Sequence, residues 1–165
     1  AAGIARLATD DVAHRRLTPE ATMPDVSGIK VLFVAGFGPV SASPAESKKL
    51  YVDTLKLPLE AMPHDGAYWH CEGMDGVKHF AIWPLHAAAP AVFGEDAWPA
   101  DLPAPSAWLE FDVEDIHSAT KALRDRGYKL LVEAREEPWG QTVTRMLSPE
   151  GILLGLTITP WLRKQ

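Results

Sequence analysis

Trp108-Leu-Glu-Phe-Asp-Val-Glu-Asp115 alternates apolar and polar residues, ends on an acid, and runs straight into Ile116–Gly127. Alternation with period two predicts a strand over Ala107–Val113. Asp115 stands where a helix N-cap belongs, and Ile116, Ala119 and Leu123 recur at helical spacing. Gly127 sits where a left-handed residue closes a helix. Tyr128–Val132, Gln141–Leu147 and Ile152–Thr159 then read as three strands, with Ser148-Pro-Glu-Gly151 as the final turn. The unit is strand, helix, three strands.

A looser copy precedes it. Ile29–Phe37 is β-branched and aromatic enough for a strand, and Ser43-Pro-Ala-Glu46 predicts a helix start with a capping box. Leu50, Tyr51 and Leu55 give that helix an apolar stripe, and Pro58 ends it. Strands are expected over Leu59–Met62, Ala67–Cys71 and Val77–Trp83, with Asp75-Gly76 as a type I′ hairpin turn between the last two. An alanine- and proline-rich stretch joins the copies and has room for one short helix.

The net charge of −6 argues against a protein that tracks nucleic-acid phosphates, which needs clustered Lys and Arg. No apolar run approaches the roughly 20 residues that cross a bilayer. The N-terminal residues show no basic stretch followed by an apolar core, so no secretory leader is expected. The single cysteine, Cys71, suits a reducing compartment, and a cytoplasmic location is expected. On its strand Cys71 points away from His70 and reads as a buried, inert thiol.

Phe111-x-Val-x-Asp115, Leu123-x-x-x-Gly127, Trp139-Gly140 and Ser148-Pro-Glu-Gly151, set in the repeated βαβββ unit, resemble the glyoxalase/bleomycin-resistance/dioxygenase superfamily, also called vicinal oxygen chelate proteins. The resemblance runs from roughly Ile29 to Pro160. It implies an α+β fold in which two paired βαβββ modules form a curled mixed sheet around a concave pocket. The corresponding division is an arm over 1–28, modules over 29–85 and 106–160, a linker over 86–105 and a tail over 161–165. The resemblance also implies a homodimer.

Metal-dependent members of that superfamily place a ligand on the first and last strand of each module. Those four stations fall on Trp108, near Gly155, near Ala35, and on Val77–Trp83, where His79 is the only candidate donor. A divalent ion needs three or four protein donors. No cofactor is therefore expected, and a divalent metal enters only through a rearranged site.

His70, Glu72 and His79 are the candidates for such a site, or for catalysis without metal. With Asp75-Gly76 as the turn, Glu72 faces His79; with Met74-Asp75 as the turn, His70 does. Either register allows a structural cross-strand pair, a proton relay or part of a metal site. Six tryptophans are many for this length, and Trp69, Trp83, Trp108 and Trp139 lie on or beside expected strands. They read as core or as the wall of an aromatic pocket, the resemblance pointing Trp108 inward. Gln141 and Arg145 share a strand face with Val143, so they are expected as a polar pair in the pocket, where the guanidinium could hold a carboxylate. Glu133, Arg135, Glu136 and Glu137 read as a solvated strand end.

Two functions follow. One is a metal-free module that binds a small apolar or planar molecule in a cup lined by Trp83, Trp108 and Trp139, with a cationic ligand suiting the acidic chain. The other is a glyoxalase- or dioxygenase-like enzyme working through His70, Glu72 and His79. The expected partners are a small molecule and a second copy of the chain, with neither nucleic acid nor membrane.

Overall fold

Two aromatic and β-branched runs, Val31–Ser41 (β1) and Ala107–Val113 (β5), pair antiparallel at the centre of the sheet. The structure is a computed structural model, and it describes residues 28–164. The arm expected over 1–28 lies outside the described residues except for Gly28. After β1 come α1 (Pro44–Lys48), a π-helical turn over Lys49–Thr54, β2 (Glu60–Met62), β3 (Asp65–Cys71) and β4 (Phe80–Pro84). The helix α2 (Leu85–Phe93) leads towards β5. Beyond β5 lie α3 (Ile116–Asp125), β6 (Leu130–Glu136), β7 (Thr142–Leu147), β8 (Leu153–Ile158) and a 3₁₀ turn over Leu162–Lys164.

All eight strands form one curled, unclosed mixed sheet in the order β2-β3-β4-β1-β5-β8-β7-β6. In each half the first strand pairs parallel with the last, β1 with β4 and β5 with β8. The two halves thus match across the β1–β5 seam, as the repeated unit requires. Among the described residues, no helix is long and apolar enough to cross a membrane.

Alternation decides what each face does. Along β5, Phe111 and Val113 pack under α3 with Ile116, Ala119 and Leu123, whereas Trp108 joins a core with Trp83, Val143 and Leu153 on the opposite side. A third cluster, Leu59, Cys71, Phe80 and Ile82, packs with Tyr51, Val52 and Trp69. Cys71 is buried there, and its sulfur accepts from the Gly73 amide at 3.2 Å.

Local chemistry sets α3 as expected. The Asp115 carboxylate accepts from the amides of His117 (2.9 Å) and Ser118 (3.1 Å), and Gly127 has φ +81°. Hydrogen bonds from Ser118 hold the Asp115 carboxyl below its ordinary value. Asp115→Ala should lower the thermal midpoint by roughly 2–4 °C. Because the folded-state carboxyl titrates low, the difference from the parent should shrink as pH falls from the ordinary 3.8 through the lowered folded value. A thermal scan at neutral and acid pH checks both.

The first half departs from its expected boundaries. Ser43 makes no side-chain cap bond; Ser41 Oγ accepts from the Ser43 amide instead, and α1 gives way to the π-turn after five residues. β1 runs on to Ser41 because its far end pairs with β4. β4 starts at Phe80 rather than Val77. The chain turns at Met74–Val77, where Gly76 has φ +86° while Asp75 keeps an ordinary negative φ. A type I′ turn needs positive φ at both central residues, so that turn is not formed.

Candidate functional site

A cavity of about 540 Å³ opens on the α2 side of the sheet. Its wall includes the three residues expected for catalysis, His70, Glu72 and His79, and the five expected for the cup, Trp83, Trp108, Trp139, Gln141 and Arg145. Ala87 and Ala91 of α2 close one side, their small side chains leaving the space open.

Trp108 lies against the middle of the sheet because β1 carries glycine there. A Cβ on Gly36 would come within 2.7 Å of the Trp108 ring. The indole N–H donates to the Ala81 carbonyl at 3.2 Å, and Trp83 meets the ring edge-on at 6.0 Å. Trp139 sits at the rim, half exposed, in the turn that joins β6 to β7. Trp69 faces the other side of the sheet, under the Lys48 ammonium.

β3 presents Tyr68 and His70 to the cavity, and Glu72, just past its end, keeps the same side, since residues two apart share a strand face. The β3–β4 ladder pairs His70 with Ala81 and Cys71 with Phe80. Continued by one residue, that register sets Glu72 opposite His79. His79 Nδ1 lies 3.5 Å from the Glu72 carboxylate, and Nε2 lies 3.1 Å from the Tyr68 hydroxyl. The His70 ring is a diagonal neighbour, with its centroid 5.7 Å from that of His79. Burial lowers the His79 pKa; Glu72 opposes that and His70 adds to it. Tyr68 is pushed well above its ordinary value, first by burial and then by the charge of Glu110.

The polar floor overturns two expectations. Arg145 is 2% exposed and its guanidinium is already engaged. It donates to Glu137 at 2.5 Å and to the Ala91 carbonyl at 3.3 Å, and lies 3.5 Å from Glu110. It is therefore not an open seat for a ligand carboxylate. Glu137, expected in solvent, is buried beside it and also accepts from Arg135 at 2.9 Å. The cause is a bulge in β6. Val132 pairs with Arg145 and Arg135 with Val143, so β6 carries one extra residue between Val132 and Arg135, with Ala134 at φ +41°. That residue reverses the alternation and turns Arg135 and Glu137, rather than Ala134 and Glu136, towards the floor. Gln141 donates to Glu110 at 2.8 Å and accepts from the Trp139 indole at 3.1 Å.

Tyr68, Glu110 and Trp161 line the cavity without having been expected there. Tyr68 and Glu110 were accessible by alternation from His70 and Trp108. Trp161 lines the cavity from what reads as a tail.

The four metal stations implied by the resemblance do not supply a ligand set. Ala35 and Trp108 offer no donor, and a Cβ on Gly155 would fall 2.7 Å from the Glu110 side chain, which fills that space. The Glu110 oxygens face Gln141 and Arg145, and both His79 nitrogens have partners. Among the described residues, no three His, Cys, Asp or Glu side chains gather as a metal site.

Comparison with known proteins gives the family. The model of the Glyoxalase/Bleomycin resistance protein/Dioxygenase superfamily matches residues 40–156. A superfamily member from Vibrio splendidus is 15% identical, covering 78% of this chain and 97% of its own, with a TM-score of 0.48. Methylmalonyl-CoA epimerase from Mycobacterium tuberculosis is 17% identical, covering 82% and 93%, with a TM-score of 0.47. The 2,2',3-trihydroxybiphenyl 1,2-dioxygenase from Sphingomonas wittichii is 14% identical, covering 80% of this chain and 46% of that one, with a TM-score of 0.47. No curated protein matches the chain at a significant level. A family match across most of the chain, on a sheet built from two βαβββ halves, makes this protein a member of the glyoxalase/bleomycin resistance protein/dioxygenase superfamily.

Proposed function

We propose that the cup binds a planar, apolar small molecule carrying a positive charge, and that it does so without a metal ion. The observation behind this reading is the make-up of the wall. Four tryptophans, Trp83, Trp108, Trp139 and Trp161, line it together with Tyr68. Three carboxylates, Asp65, Glu72 and Glu110, face one guanidinium, Arg145, which is itself shared with Glu137. Aromatic faces attract cations through their quadrupole, at up to about 2 kcal/mol in a desolvated site. A flat cation therefore finds stacking surface and compensating charge in one place. A carboxylate ligand would meet repulsion, because the floor cation is already neutralised.

N-methylquinaldinium, a flat permanent cation, should quench tryptophan emission saturably, while its neutral parent quinaldine in mildly alkaline buffer should bind roughly tenfold more weakly. Treatment with a chelator should leave the titration unchanged. Trp139→Ala removes an exposed rim ring without touching the core and should weaken the cation's binding by roughly threefold to tenfold. Equal affinity for the two probes, or loss of binding after chelation, would overturn the reading.

A further inference from the structure

We propose that Glu72, His79 and Tyr68 form a relay that makes the Tyr68 oxygen a proton acceptor, and that the cup tautomerises cationic carbon acids. The inference rests on the reading of the cup as a seat for a planar cation, and it names a reaction for that ligand.

The geometry is a carboxylate, an imidazole and a phenol in line. The Glu72 carboxylate beside Nδ1 favours a proton on that nitrogen, at 3.5 Å. Nε2 is then the acceptor, and the Tyr68 hydroxyl donates to it across 3.1 Å. The phenol oxygen keeps lone pairs for the cavity that Tyr68 lines. A carboxylate–imidazole–hydroxyl chain is an activating arrangement wherever it occurs, because the imidazole takes a proton as the oxygen acts. Two features fit this use. Burial lowers the His79 pKa, which favours the neutral ring, and raises that of Tyr68, so the phenol passes a proton on rather than standing as a phenolate.

The floor shapes the substrate class. Abstracting a proton from carbon leaves an electron pair that needs a sink. The donors of the floor are committed: Gln141 to Glu110 and Thr159, the Trp108 indole to Ala81, and Arg145 to Glu137 and Ala91. An enolate oxygen would find these donors engaged and carboxylates around it. A cationic C=N⁺ group brings its own sink and suits the acidic wall.

In the step, a C–H bond adjacent to the C=N⁺ carbon breaks, and its proton bonds to Tyr68 Oη. The phenol proton moves to His79 Nε2, giving an imidazolium beside Glu72. The C–H electron pair forms a C=C bond, and the C=N⁺ π pair becomes the lone pair of a neutral enamine nitrogen. The reverse relay returns a proton to the same carbon or to a conjugated one. Nothing is consumed, and no oxidant or co-substrate enters.

The test follows exchange of the N-methylquinaldinium methyl protons in deuterated water by NMR, with tryptophan quenching recorded on the same samples. Saturable exchange roughly hundredfold above buffer is expected. Tyr68→Phe and His79→Gln should return exchange per bound probe to the buffer rate, the bound fraction of each variant being read from its own quenching titration. The groups facing His79 are Glu72, His70 and Tyr68, with the Trp108 ring beside it and Glu110 and Arg145 beyond Tyr68. Since the relay needs neutral His79, exchange should be level above the ordinary 6.5 and fall as pH drops through the lowered value. Glu72→Gln should cut the plateau roughly tenfold and move the acid limb to lower pH, because the imidazolium loses its partner. A purely structural Glu72 would not move that limb. A probe that quenches but exchanges only at the buffer rate overturns the relay and leaves the binding reading standing, as does exchange that survives Tyr68→Phe. A probe that does not bind overturns both.

Discussion

Arg145→Met should destabilise the protein by about 3 kcal/mol, read from guanidinium chloride unfolding with an unchanged slope. Breaking a buried ion pair by removing one partner usually costs 3–5 kcal/mol. The lower end applies because neither carboxylate is wholly abandoned: Glu137 keeps Arg135, and Glu110 keeps Gln141. The pair also differs from a surface ion pair, since Arg145 and Glu137 are both buried and in contact at 2.5 Å. Adding Glu110→Gln and Glu137→Gln to Arg145→Met should restore much of the loss, because uncharged amides cost less to bury than unpaired carboxylates. A single-variant loss below about 1 kcal/mol would place the network in the category of surface pairs.

The second large effect comes from a methyl group. A Cβ on Gly38 would lie 1.8 Å from the Ala81 carbonyl oxygen and 3.2 Å from the Trp108 indole nitrogen. The obstacle is backbone, so no rotamer change relieves it. β1 and β4 would have to part where they pair, and Trp108 would lose its seat and the Ala81 acceptor. Gly38→Ala should therefore cost at least about 3 kcal/mol, the upper range for overpacked cores. Gly73→Ala is the control: nothing lies within 4 Å of its added methyl, and the unfolded chain loses freedom. Its unfolding midpoint should hold or rise slightly. A Gly38→Ala variant as stable as Gly73→Ala would show that the two strands do not approach as described.

Local rules carried the reading wherever local bonds decide the structure. In α3, the Asp115 cap, the stripe Ile116, Ala119 and Leu123, and the left-handed Gly127 all depend on neighbours within four residues or so. Counting back from a turn left two partners for His79, Glu72 and His70, and the β3–β4 register selects Glu72. Two other features depend on distant contacts: α2, for which the sequence left room without bounds, and the burial of Glu137, which it did not show. α2 is apolar and alanine-rich, lacks a polar N-cap and contains Pro90, and it packs against strands of both halves. Glu137 enters the floor only because Ala134 is bulged, held by Thr144 Oγ1 accepting from its amide at 2.8 Å. Alternation read from one strand cannot contain an extra residue that its partner strand defines. Tyr68 was legible and passed over, because an aromatic on a strand usually means packing.

The side chain above Gly155 also governs which sequences are reachable from this one. A carboxylate introduced at Gly155 collides with Glu110. Removing Glu110 first deprives Arg145 and Gln141 of a partner, and changing Arg145 exposes Glu137 in turn. A route to a donor at that station therefore crosses intermediates that are each expected to be less stable than the parent. These side chains hold one another in place, so the floor of the cup resists change one residue at a time.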